Sequence, residues 1–138
     1  MANLKYSRQR EAIKRCLASR RDHPTAEMIY TQLRDKDPRL SLGTVYRNLA
    51  LLSQLGEIRK IPTEDGPDRF DGDTSRHFHF ICRRCHAVTD LMVPEADTLI
   101  AKTASLTDGE VEEIVMNAYG LCRSCADVSS MKDAAVRN

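Results

Sequence analysis

The chain has 138 residues, of which 41% are hydrophobic and 30% charged, a composition typical of one ordinary globular domain or two small ones. No apolar run approaches the roughly 20 residues of a membrane-spanning helix, and the first residues lack the apolar segment of a signal peptide, so we expect a cytoplasmic protein without a membrane partner. The net charge of +1 excludes nucleic-acid binding through overall charge and would require a local basic patch.

Such a basic patch lies at the N-terminus. Before Asp22 the chain carries one acid, Glu11, and these basic residues: Lys5, Arg8, Arg10, Lys14, Arg15, Arg20 and Arg21. A patch of this kind is typical of a nucleic-acid contact, although a solvated helix face is the alternative. Cys16 in the same stretch has no local ligand partner and is predicted to be a buried thiol.

Three helices are predicted in the first half. Each begins after a residue that commonly caps helices: Ser7, Thr25 and Ser41. The third helix is predicted over 42–55, with Gly56 as its C-terminal stop, and its length fits along a major groove. Its outward face carries groups able to touch base edges and phosphates: Thr44, Tyr46, Arg47 and Asn48.

Two short strands, 57–62 and 68–71, follow around a turn at Gly66-Pro67. Three helices followed by a hairpin favour an N-terminal winged helix-turn-helix domain over residues 1–72. A plain helical bundle is the alternative.

The pattern changes in the second half. It predicts strands over 77–81, 86–93 and 110–119 and a helix opened by Pro94. We therefore expect a small C-terminal α/β domain over residues 73–126 and an α/β (α+β) fold for the whole chain. Residues 127–138 are polar without clear periodicity, which predicts a flexible tail.

Four cysteines form two pairs with the spacing of zinc knuckles, Cys82-x-x-Cys85 and Cys122-x-x-Cys125. Four thiolates satisfy a tetrahedral Zn²⁺ completely and leave no open position for catalysis. The sequence therefore predicts one structural zinc ion that ties the C-terminal end of the domain to its opening hairpin. Two redox motifs or two disulfides are the alternative.

A second group of metal-binding residue types surrounds the first knuckle. His77 and His79 lie two apart in a predicted strand, so both side chains leave one face and can share an ion. His23, Asp71 and Asp90 could complete a five-ligand site of nitrogen and carboxylate donors, a set that suits iron(II), manganese(II) or zinc. Spacing alone does not bring His23 to the others.

Several ordered motifs resemble the ferric uptake regulator (Fur) superfamily of bacterial metal-dependent repressors over roughly residues 6–126. The motifs are Ser7-Arg-Gln-Arg10, His23-Pro-Thr-Ala26, Gly43-Thr-Val-Tyr-Arg-Asn-Leu49, Arg69-Phe-Asp71, His77-x-His79-x-x-Cys82-x-x-Cys85 and Cys122-x-x-Cys125. The resemblance implies a winged helix, a C-terminal dimerisation domain, and a homodimer bound to double-stranded DNA at a palindromic operator.

The resemblance also implies roles for individual residues. Cys82, Cys85, Cys122 and Cys125 match structural zinc ligands, and the regulatory iron(II) or manganese(II) site is matched by His23, Asp71, His77, His79 and Asp90. Tyr46 matches a residue that contacts thymine methyls, Arg47 lies near phosphate or base edges, and Lys5 approaches the minor groove. Thr44 belongs to the same predicted DNA surface.

Asp90 favours the peroxide-sensing (PerR-like) branch, since iron-sensing members usually have glutamate at the matching position. In peroxide sensors, iron(II) at this site reacts with H₂O₂ and oxidises a ligand histidine, and the matching residues are His23 and His77. Asp71 stands where zinc sensors often have cysteine. An iron-responsive repressor of metal uptake genes is the alternative.

Two positions depart from the family pattern. His86 replaces a usual glycine and could be a surface residue or a spare ligand, and the wing around Asp68 is acidic.

Two other classes of function compete with a repressor. A zinc hydrolase is disfavoured, because no His-Glu-x-x-His motif occurs, so we expect no enzyme. A zinc-stabilised protein-interaction module would lack metal-dependent binding to a palindrome.

Overall fold

The computed structural model describes residues 5–64 and 66–136. It contains two compact units, Met1–Ser75 and Arg76–Asn138, which divide close to the expected boundary after residue 72. Across the described residues, no helix has both the length and the apolar character needed to cross a bilayer.

The first unit has the element order of a winged helix. Its helices and strands are α1 (Arg8–Ala18), α2 (Ala26–Leu33), α3 (Leu42–Gln54), β1 (Arg59–Ile61) and β2 (Arg69–Asp71). The three predicted N-caps are confirmed, since their side-chain oxygens accept hydrogen bonds from backbone N–H groups in the first turn of each helix. Gly56, which follows α3, has a φ of 73°, a conformation that suits glycine at a helix end.

The core of the first unit packs the inward faces of α1, α2 and α3 against the hairpin. Its buried members are Ile13, Cys16, Leu17, Ala26, Ile29, Leu40, Val45, Leu49, Leu52, Ile58 and Phe70. Phe70 brings β2 into this core, and β1 and β2 pair antiparallel with Arg59 opposite Asp71. The alternation of side chains along β2 therefore turns Arg69 and Asp71 away from the core face that Phe70 occupies.

The second unit is a three-stranded mixed sheet with two helices. Its elements are β3 (Phe78–Cys82), β4 (Val88–Leu91), α4 (Ala96–Ala104), β5 (Asn117–Gly120) and α5 (Arg123–Val136). β3 is central, with β4 antiparallel on one side and β5 parallel on the other. The fold class expected from sequence, a winged helix followed by a small α/β domain, is confirmed.

Two elements of the second unit differ from expectation. The strand predicted over 110–119 forms hydrogen bonds with a neighbouring strand only at β5, because the parallel partners on β3 run from His79 to Cys82 and no further. The residues from 127 onward, expected as a flexible tail, continue helix α5 through Val136. No glycine or proline follows Gly120, so no helix-breaking residue interrupts this stretch.

Candidate functional site

The second unit gathers four cysteines at one end of its sheet. Cys82 ends β3, and Cys85 follows in the tight turn to β4. The parallel strand β5 returns the chain to the same end, so that Cys122 and Cys125 meet the first pair. One sulfur from each residue lies within 4.8 Å of the others, and all four are free thiols.

The surroundings of these sulfurs favour a bound cation. Burial works to raise the pKa of the Cys82 thiol, but backbone N–H groups, foremost that of Cys122, outweigh it and lower this pKa to about 5. In contrast, the neighbouring Cys122 thiol and burial raise the pKa of Cys125 to about 12. Several thiolates cannot crowd together without a positive charge between them, and a tetrahedral Zn²⁺ supplies that charge. The four cysteines form a structural zinc site, as predicted.

Two arginines follow Cys82 in the knuckle. The Arg83 backbone N–H donates to the Gly120 carbonyl at 2.8 Å, and its guanidinium lies 5.3 Å from the centre of the Tyr119 ring. Both contacts join the first knuckle to β5. They hold the two cysteine pairs in register for one ion.

His86 adopts a φ of 63° directly after Cys85. This left-handed conformation is the one that glycine adopts most easily, which explains the residue type expected there from the family. Among the described residues His86 belongs to neither group of clustered metal-ligand atoms, so the spare-ligand interpretation gains no support.

Three residues of the second unit form a nitrogen and carboxylate cluster. His79 lies on β3 opposite Asp90 on β4, and His77 immediately precedes β3. The Asp90 Oδ1 lies 3.2 Å from His77 Nε2 and 3.5 Å from His79 Nε2. The two imidazoles are buried and meet edge to face at 4.7 Å. One carboxylate oxygen therefore faces both rings. The alternation along the predicted strand indicated that the two histidines share a face, and it did not indicate the contact with Asp90.

The first unit holds the other two predicted ligands close together. His23 Nε2 lies 3.3 Å from Asp71 Oδ2, and both side chains are buried. His23 comes from the loop between α1 and α2, and Asp71 ends β2. Imidazole and carboxylate donors without a thiolate fit iron(II) or manganese(II).

Arg69 is a residue of this region whose role the sequence did not reveal. Its guanidinium donates to the backbone carbonyl of His23 at 3.1 Å. A signal was present in the sequence, since Arg69 and Asp71 are two apart on one strand and therefore share a face.

The outward face of α3 carries the predicted DNA-contacting residues. Tyr46 and Arg47 are exposed, while Thr44 is half-buried. Arg47 donates to the Thr44 hydroxyl at 3.0 Å, and that hydroxyl lies 2.9 Å from Ser41 Oγ. Lys5 is also exposed, at the N-terminal side of the same unit.

A family model described as the ferric uptake regulator family matches residues 1–119 of the chain. The chain belongs to the ferric uptake regulator family.

The proteins to which the chain is similar include peroxide regulators and ferric uptake regulators. The chain is 35% identical over 126 residues to the peroxide-responsive repressor PerR of Staphylococcus epidermidis, covering 91% of this chain and 84% of that protein. Among solved structures it resembles the Helicobacter pylori ferric uptake regulator, with a TM-score of 0.78, 26% identity, and coverage of 89% and 83% of the two chains. It also resembles a Campylobacter jejuni peroxide stress regulator, with a TM-score of 0.76, 26% identity, and coverage of 85% and 88%.

Proposed function

We propose that this protein is a metal-dependent, DNA-binding transcriptional repressor that senses peroxide through iron(II), with manganese(II) as a corepressor that does not react. The observation that carries the proposal is the Asp90 carboxylate facing both His77 and His79. The identity to peroxide-responsive relatives supports the same branch. A repressor of metal uptake genes that responds to iron is the alternative.

In this proposal His23 and Asp71 join the histidines and Asp90 around one regulatory ion. In each unit a histidine nitrogen already lies next to a carboxylate oxygen, so that the two groups compete for a proton. A bound ion would replace these contacts between nitrogen and oxygen. Ligands drawn from both units would make DNA affinity depend on the ion. The shift can be no larger than the difference in the ion's affinity between the two states.

Iron(II) held by these residues would supply the electrons that reduce H₂O₂, and the imidazole of His23 or His77 would take up the oxidising equivalents. The net change inserts one oxygen atom at an imidazole carbon of His23 or His77 and releases water. An oxidised imidazole loses donor strength, so the ion and the operator would both be released.

The operator-binding face in this proposal is α3, with Tyr46 and Arg47 in the major groove and Thr44 beside them. Lys5 would approach the minor groove, where a cation is favoured by the negative potential. We further propose a homodimer on a palindromic operator in the cytoplasm. The second unit supports a partner copy, because it exposes large apolar side chains: Met92, Leu99, Leu106, Val115, Leu121 and Val128.

The deciding experiment loads the zinc-containing protein with iron(II) without oxygen, adds H₂O₂, and maps the peptides bearing His23 and His77 by mass spectrometry. We expect the mass of one added oxygen atom on either peptide, together with loss of binding to a palindromic operator in a gel shift. Protein loaded with manganese(II) is the control and should stay unmodified and bound. Iron-dependent binding without histidine oxidation would instead favour the iron-responsive alternative, and binding unaffected by metal would refute a metal-dependent repressor.

A further inference from the structure

His23 has an unusual backbone conformation for a metal ligand. Its φ of 54° lies in the left-handed region, which residues with a side chain seldom occupy. Pro24 follows directly and further restricts the backbone of the residue before it. Such a conformation persists only where surrounding contacts hold it, and it clusters at functional sites.

The contacts that hold this loop come from β2. The Arg69 Nη1 donates to the carbonyl of His23 at 3.1 Å and lies 3.5 Å from the carbonyl of Asp22. The backbone N–H of Phe70 donates to the Pro24 carbonyl at 3.0 Å. A single guanidinium therefore contacts the two peptide groups that flank His23, and the strand backbone holds the next peptide group along the chain.

Arg69 and Asp71 hold opposite ends of the same histidine. Both side chains leave the face of β2 opposite Phe70, so the guanidinium reaches the His23 carbonyl while the carboxylate reaches its ring at 3.3 Å. The ring meets the carboxylate with the backbone in the left-handed conformation. Losing the Arg69 contact would let the loop relax and turn the imidazole away.

An ion pair between Arg20 and Asp22 also supports the loop that contains His23. Arg20 donates two hydrogen bonds to the Asp22 carboxylate, at 2.9 and 2.7 Å, and a third to Gln32 on α2 at 3.0 Å. The hydrogen bonds from Arg20 lower the pKa of Asp22, so this pair stays ionised at neutral pH. The loop is thus anchored to α2 as well as to β2.

We propose that Arg69 is a positioning residue for the regulatory metal site, acting through His23 by holding its backbone in the left-handed conformation. The proposal rests on the proposed function, since it takes His23 to be a metal ligand. Hydrogen-bonding partners that orient a metal ligand typically change metal affinity by roughly 10- to 100-fold when they are removed.

The test compares Mn²⁺ affinity, measured by titration of zinc-containing protein, for Arg69→Gln, Arg69→Lys and Lys60→Gln. Arg69→Gln should weaken Mn²⁺ binding by about tenfold or more, and Arg69→Lys should lose less because one donor can still reach the His23 carbonyl. Lys60→Gln removes a positive charge from an exposed position on β1 and should leave the affinity unchanged. Equal effects of the Arg69 and Lys60 glutamine variants, or none from Arg69→Gln, would overturn the proposal.

Two further measurements separate positioning from a general structural role. In His23→Ala protein, adding Arg69→Gln should cause no further loss of Mn²⁺ affinity, whereas independent losses that multiply would overturn the proposal. Without Mn²⁺, Arg69→Gln should speed hydrogen exchange at the Phe70 amide, which donates to Pro24, while amides of α3 keep their rates. Unchanged exchange at Phe70 would contradict the positioning role.

Comparison with the wild-type protein separates the role of Arg69 from the proposed set of metal ligands. If it binds Mn²⁺ and Arg69→Gln binds equally well, the inference about Arg69 fails while the regulatory site stands. If His23→Ala protein binds Mn²⁺ as tightly as the wild-type protein does, the proposed ligand set fails and the inference about Arg69 fails with it.

Discussion

Removal of zinc is expected to unfold the second unit while the first stays folded. Among the described residues of the second unit, the buried apolar side chains are Phe78, Ile81, Cys82 and Val88. Full burial contributes about 1.5–3 kcal/mol for each large apolar side chain. Structural zinc sites contribute about 10–16 kcal/mol of apparent binding free energy, which acts as folding free energy. The ion is thus the larger stabilising contribution.

The assay is a two-dimensional amide NMR spectrum of Cys122→Ser/Cys125→Ser protein under reducing conditions, with metal content measured in parallel. Amides of β3, β4 and β5 should lose their dispersion, because the second pair of ligands is gone. Amides of α1 to α3 should keep theirs, because the core cluster of the first unit lies entirely within that unit.

Cys16→Ala is the matched control. Cys16 is the one cysteine outside the two pairs and is buried in the core of the first unit, whereas the zinc ligands belong to the second unit. This variant should keep one zinc per chain and the dispersed amides of the second unit. Well-dispersed β3 amides in zinc-free double-serine protein would refute the reasoning, because the sheet would then be stable on its apolar contacts alone.

Three further experiments test the regulatory site, the DNA surface and the end of β2. Asp90→Glu should retain Mn²⁺-dependent operator binding in a gel shift but weaken the response to H₂O₂, because it introduces the acid that iron-sensing members usually have at this position. An unchanged response to peroxide would count against peroxide sensing. Tyr46→Ala should weaken discrimination between operator and random DNA more than it changes the salt dependence of binding, because the proposed role of Tyr46 is to contact bases. Lys5→Ala should do the reverse, because the proposed role of Lys5 is to contribute charge against the phosphates. Equal effects of the two substitutions would contradict these roles. Gly72→Ala should lower the free energy of unfolding, measured in denaturant, by about 1–3 kcal/mol, because the added carbon would lie 3.1 Å from backbone atoms of α1. The control Gly109→Ala should cost little, because the nearest atom to its added carbon is a side-chain oxygen at 3.5 Å. Equal costs would be evidence against tight packing at Gly72.

Local chemistry explains most of what the sequence predicted. The caps at Ser7, Thr25 and Ser41 were predictable, because a capping hydroxyl needs only its own first helical turn. The cysteine pairs were predictable because each knuckle is also local. Their meeting depended only on one strand pairing parallel to another.

The rest needed contacts that no local pattern encodes. The strand predicted over 110–119 was too long, since its extent is set by the partner strand β3 rather than by its own β propensity. Residues from 127 onward are mostly polar and lack an apolar repeat, so periodicity gave no sign of the helix that continues through Val136. The sequence around His23 gave no sign of its positive φ, because that conformation is held by Arg69, which is 46 residues away along the chain.

β2 joins the proposed sensing and DNA-binding parts of the first unit within three residues, Arg69–Asp71. Arg69 and Asp71 hold His23, and Phe70 between them is buried in the core that also fixes α3. An ion that displaced His23 or Asp71 would therefore also displace a strand whose opposite face is buried in the core that α3 shares. Packed cores shift between discrete arrangements rather than deform continuously, so a small displacement at the ligands can be passed to α3 as a change of position. By linkage, operator DNA must then tighten binding of the ion by the same factor by which the ion tightens binding of DNA.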